Sequence, residues 1–124
     1  MQNKHIRVAL ATILVLVGST TCAQVAVAPE QNLTIKEIIS KEASAHKVSE
    51  EVMNKVINCE SEYNPEAVGD HGHSLGLVQI HNFYHPEITR AQALDPEFAI
   101  DFLATNLAKG KGKLWSCYRI LGYK

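Results

Sequence analysis

The chain contains no internal repeat, no low-complexity block and no apolar run long enough to read as a firm membrane span. Without a repeat it is not a solenoid or propeller. Cysteine is scarce, with three in 124 residues, so a multi-bridge framework is excluded. Acid is missing after Asp101, whereas that tail carries Lys109, Lys111, Lys113, Arg119 and Lys124. The tail suits either ordinary solvated lysines or contact with an anionic polymer. Overall charge is near balance, at −1, and nucleic acid is not an expected partner. The length leaves room for one domain.

What is present begins with a leader. Lys4 and Arg7 precede an apolar stretch from Val8 to Gly18, the layout of a secretory signal peptide. Small residues at Thr21-Cys22-Ala23 suit cleavage before Gln24. An uncleaved anchor and a lipid-attached Cys22 are the alternatives, and any membrane contact is expected through one of these two. All three place the domain outside the cytoplasm, in the periplasm or beyond. The expected organisation is a signal or anchor over 1–23, a polar spacer over 24–32 and a folded domain over 33–121. About 100 residues bury only roughly 60% of their unfolded surface, so the core is thin. With Cys22 in the leader, Cys59 and Cys117 remain. Two cysteines in an exported domain read as a disulfide, with two buried thiols as the alternative. Closing so long a loop is worth about 4 kcal/mol in the chain-entropy model.

The pattern along the domain is mainly α. Thr34 and Glu37 form a capping box for a helix to about His46, with Ile35, Ile38, Ile39 and Ala43 on one face. A second helix is predicted from Ser49 to Glu62, with Val52, Met53, Val56 and Ile57 as its buried stripe. Asn64-Pro65 stops it. Gly69, Gly72 and Gly76 mark a loop region from Glu66 to about Pro86, with a short hairpin near Leu77 to Ile80. Asp95-Pro96 opens a third helix that ends at Gly110 and Gly112, and a fourth is predicted from Leu114 to Leu121.

Glu60 stands out within this pattern. It lies four residues after Val56 and three after Ile57, on the apolar face of its helix. Burial disfavours the charged carboxylate and raises its pKa. A carboxyl that holds its proton near neutral pH can protonate a leaving group, as glycoside cleavage requires. The plainer alternative is a glutamate in a fraying last turn that faces solvent.

Glu60-Ser61 at a helix end, then Asn64-Pro65-Glu66-Ala67-Val68-Gly69, then Gly76-Leu77-Val78-Gln79-Ile80, resembles the soluble lytic transglycosylase (SLT) domain, a relative of goose-type lysozyme. The resemblance runs from about Leu33 to Leu121. It implies a small lysozyme-like α+β domain whose glycine-rich loop or hairpin flanks the active-site groove. It implies peptidoglycan strands as substrate, no cofactor and no metal. A monomer is expected. Glu60 would act first as acid and then as base toward the sugar's own 6-hydroxyl, leaving a 1,6-anhydro end. Ser61 would bond near the Glu60 carboxyl. Ser74, Val78, Gln79 and Ile80 would contact sugar, and Tyr118 would reach toward Glu60. The third motif departs from the family's Ala-Tyr-Asn, because Arg119 follows Tyr118. Cys59, directly before Glu60, is not a general family feature; a bridge to Cys117 would tie the last helix to the catalytic one.

Two further readings stay open. Asp70 matches an aspartate position of goose-type lysozymes and would activate water in a hydrolase; its plainer role is to cap a turn between Gly69 and Gly72. His71, His73, His81 and His85 offer zinc-type spacings, although no Cys or carboxylate completes a familiar signature. A zinc-dependent enzyme or a non-catalytic wall-binding module is therefore the remaining class.

Overall fold

A computed structural model describes residues 32–124. The expected leader with Cys22, and nearly all of the spacer, lie outside the described residues.

The first helix, α1 (Ile35–His46), starts at the Thr34–Glu37 capping box. Lys47 closes it in the left-handed region. Ser49 then caps α2 (Glu50–Ser61) by accepting from the Val52 amide. Three two-residue strands follow: β1 (Val68–Gly69), β2 (Ser74–Leu75) and β3 (Ile80–His81). They pair antiparallel in the order β1-β2-β3, with Val68 opposite Leu75 and Leu75 opposite Ile80. The predicted hairpin is therefore wider than expected: Gly76 to Gln79 form the turn, not the strands.

Helix α3 (Arg90–Leu94) was not anticipated. Its start signal is a Thr89–Gln92 capping box. Five residues are too short for a hydrophobic period to announce the helix. Asp95 then ends α3 and caps α4 (Pro96–Ala108). The predicted last helix is broken. Gly112–Leu114 forms a 3-10 turn, Trp115 is extended, and α5 spans Ser116–Ile120. The break has a cause: the buried Trp115 indole donates to the Val78 carbonyl at 2.7 Å. Its backbone must leave the helix for the ring to reach that partner.

The core joins all these pieces. Ile39 of α1, Met53, Val56 and Ile57 of α2, and Ile100 and Leu103 of α4 are fully buried. Leu77 and Val78 insert from the hairpin turn into the same cluster. Each such aliphatic side chain contributes about 1.5–3 kcal/mol. The turn thus belongs to the core, which fixes its place beside α2. No helix of the described residues is long and apolar enough to cross a membrane.

Gly76 is where this turn is most demanding. Its φ is +74°, and an added Cβ would collide with the Ala93 carbonyl oxygen. The left-handed conformation alone costs a substituted residue about 1–2 kcal/mol. Gly76→Ala is therefore expected to lower the melting temperature by roughly 10 °C, at about 4–8 °C per kcal/mol in a domain this size. A circular-dichroism melt unchanged from wild type would show that the turn is not held in this way.

Candidate active site

The site is built where the apolar stripe of α2 runs out. Val56 and Ile57 are fully buried, while Glu60, one turn later, is half-buried. Burial pushes the pKa of the Glu60 carboxyl up from its ordinary value. The amide of Cys117 donates to Glu60 Oε1 at 3.1 Å and pulls the other way. The negative charge of Asp70 raises it again. The net direction is upward, with desolvation as the largest cause.

The Cys59–Cys117 disulfide is formed, with the two Cα atoms 5.9 Å apart. It joins the residue before Glu60 to the residue whose amide holds Glu60. Covalent and hydrogen-bonded anchors therefore converge on one carboxyl.

The Gly76–Gln79 turn is locked against α2 by Ser61. Its hydroxyl donates to the Leu77 carbonyl at 2.8 Å and to the Ile57 carbonyl at 3.1 Å. Neither of these partners is the Glu60 carboxyl, near which the resemblance places Ser61. A serine in the last helical turn finds free backbone carbonyls nearer than a side chain. Gln79, at φ +50°, folds its side chain back over Gly69. Its amide nitrogen donates to the Gly76 carbonyl at 2.9 Å and, less closely, to that of Ala67. Glu62, Tyr63, Asp70 and His71 also have positive φ. Side chains favour this region rarely, and strain of this kind concentrates at functional sites.

A cleft of about 490 Å³ opens beside these groups. Glu60, Gly69, Asp70, Ser74 and Gln79 line it. His81, Tyr84, Leu114, Trp115, Ser116 and Arg119 line it as well. An apolar recess of about 310 Å³ shares Gln79, His81, Tyr84, Leu114 and Trp115 and adds Phe102. A further hollow of about 460 Å³ shares Glu60 and Gln79 and runs past Asn64 and Val68. Glu60 thus sits within an extended groove whose compartments each match the roughly 300–1,000 Å³ of small-molecule sites.

Other sequence candidates fall in different places. The Ser74 hydroxyl donates to Asp70 Oδ2 at 2.6 Å, which holds that carboxylate at the cleft. Val78 is fully buried and Ile80 nearly so, so their side chains serve the core, although Ile80 also touches the recess. Tyr118 does not line the cleft. Its ring packs over Gly112 and against Tyr123, and its hydroxyl is 3.5 Å from the Lys124 carbonyl. Cys117 of α5 is bridged to Cys59 of α2, while Tyr118, the next residue, is absent from the cleft lining. The four histidines do not converge. His73 bonds Asn82 and stacks on His81, while His85 pairs with Glu87. Among the described residues, the three-ligand cluster is instead Glu42, His46 and Asp101, between α1 and α4.

Sequence reasoning missed Tyr84, Leu114, Trp115, Ser116 and Arg119 as cleft residues. Arg119 alone had left a sign, as the residue that replaces asparagine after Tyr118.

No curated protein and no solved structure gives a significant match. The family model for the transglycosylase SLT domain matches residues 37–122, a span that holds α1 to α5 almost whole and every cleft residue named above. The chain belongs to the transglycosylase SLT domain family.

Proposed function

We propose that this chain is an exported peptidoglycan lytic transglycosylase with Glu60 as its general acid and base. The observation that carries the reading is a carboxyl raised in pKa by burial, anchored by the Cys117 amide and open to an extended groove. Protonated Glu60 gives its proton to the oxygen linking N-acetylmuramic acid to N-acetylglucosamine. The C1–O bond breaks through an oxocarbenium-like state. The muramyl 6-hydroxyl then attacks C1 and passes its proton to the Glu60 carboxylate. The product is a 1,6-anhydro end, and no water is consumed. Gln79 and Ser74 present polar groups to the sugar, and Trp115 supplies an apolar floor. Ser61 acts as a positioning residue through Leu77. The Cys59–Cys117 bridge suits an oxidising compartment and so is consistent with export.

Asp70 favours a second reading, hydrolysis, because it shares the cleft and its charge acts on Glu60. Mass spectrometry of products from purified sacculi decides between them. Anhydro-muramyl ends are expected, and reducing ends from wild-type protein would replace the transglycosylase with a lysozyme. Asp70→Asn is expected to retain cleavage within about tenfold, since a positioned base contributes roughly 10²–10⁴-fold. A greater loss would put Asp70 in the mechanism.

A further inference from the structure

We propose that Arg119 binds a carboxylate carried by the muramyl residues of the strand, and so makes the cleft selective for anionic wall glycan over neutral polymers of N-acetylglucosamine. This rests on the glycan-cleaving reading of the same cleft. Arg119 and Ser116 stand three residues apart on α5, hence on one face, and both line the cleft. Cys117, between them, ties that helix to α2 through the disulfide, so the face is held toward Glu60. The Arg119 guanidinium makes neither an ion pair nor a side-chain hydrogen bond among the described residues. It is exposed, at the cleft, and free to engage a ligand.

The charges around it give this freedom a purpose. Glu60 holds its proton in the proposed mechanism, so Asp70 is the other acid of the cleft, and neither a lysine nor a second arginine lines it. Without Arg119, Asp70 would repel an anionic polymer there. Muramyl residues bear either a free lactyl carboxylate or a stem peptide with its own carboxylates. A guanidinium matches a carboxylate with two parallel N–H donors, and charge-assisted bonds of this kind are the strong ones. Arg119 thus offsets the repulsion and reads the one chemical feature that separates wall glycan from chitin.

The test measures binding by calorimetry in a Glu60→Gln background, where cleavage cannot confuse it. Three probes are used: a disaccharide oligomer with stem peptides, the same oligomer after amidase trimming to free lactyl groups, and a neutral N-acetylglucosamine oligomer of equal length. Arg119→Gln is expected to weaken an anionic probe about tenfold or more, the size of a charged hydrogen bond, and the neutral probe less than about twofold. Added salt should weaken the anionic probe in the Arg119 protein and much less in Arg119→Gln. Arg119→Lys should recover part of the loss. Loss with the trimmed probe assigns the lactyl carboxylate; loss only with the stem-bearing probe assigns the peptide. Equal effects on all three probes, no effect on any, or no binding of any anionic probe would overturn the proposal. Anionic binding that depends on Arg119, in a protein whose wild type leaves sacculi intact, would sink the catalytic reading and spare this one.

Discussion

Glu60→Gln is expected to cut release of muropeptides by at least about 100-fold, the lower end of what a positioned acid or base contributes. Glutamine keeps the shape and still accepts from the Cys117 amide, which now reaches Glu60 Oε1 at 3.1 Å. It has no proton to give. Wild-type activity should fall as pH rises through the elevated Glu60 pKa, because the acid form is lost there. Stability responds to the same group with a defined sign. Its folded pKa lies above the unfolded one, so its stabilising contribution is present below the unfolded value and disappears as pH rises through the folded value. Near neutral pH, Glu60→Gln should therefore melt slightly higher than wild type. The gap should close in acid. The effect stays small because the carboxyl is only half-buried and water screens it. Muropeptide release together with melts across the acid-to-neutral range checks both parts. Cleavage at the wild-type rate by Glu60→Gln would remove Glu60 from the chemistry.

Opening the Cys59–Cys117 bridge should have the largest effect on stability. The cysteines lie 58 residues apart. The chain-entropy model assigns about 4 kcal/mol to such a loop, and at 4–8 °C per kcal/mol the melting temperature should fall by roughly 15–30 °C. A second effect separates loss of stability from loss of the site. The Cys117 amide lowers the Glu60 pKa, so a slack α5 should let it rise further. The alkaline limb of residual activity, read well below the melting point, should then move to higher pH. The double variant Cys59→Ala, Cys117→Ala, or the reduced wild type, gives both readouts. An unchanged melt and an unchanged alkaline limb would make the bridge passive.

Much of the helical frame was legible along the chain. Thr34, Ser49 and Asp95 cap helices because their side-chain oxygens accept from orphan amides three residues on, a purely local event. The stripe of Met53, Val56 and Ile57 is likewise local, and it exposed Glu60 as the carboxyl at its end. Short elements were harder to see. The Thr89–Gln92 box was present, yet α3 is too short to add a periodic face. Trp115 lies near the start of the predicted last helix but is extended, and its indole bonds Val78, 37 residues away.

Residue spacing alone thus determined the starts of α1, α2 and α4, the core stripe, the carboxyl at its end and the two cysteines available to pair, because each depends on neighbours within a few positions. The tertiary structure decided what surrounds the acid. It turned Ser61 toward Leu77, Tyr118 away from the cleft and Arg119 into it. Those choices depend on where α5 packs against α2 and on which buried donor finds an acceptor across the fold, and no local pattern encodes such long-range partners.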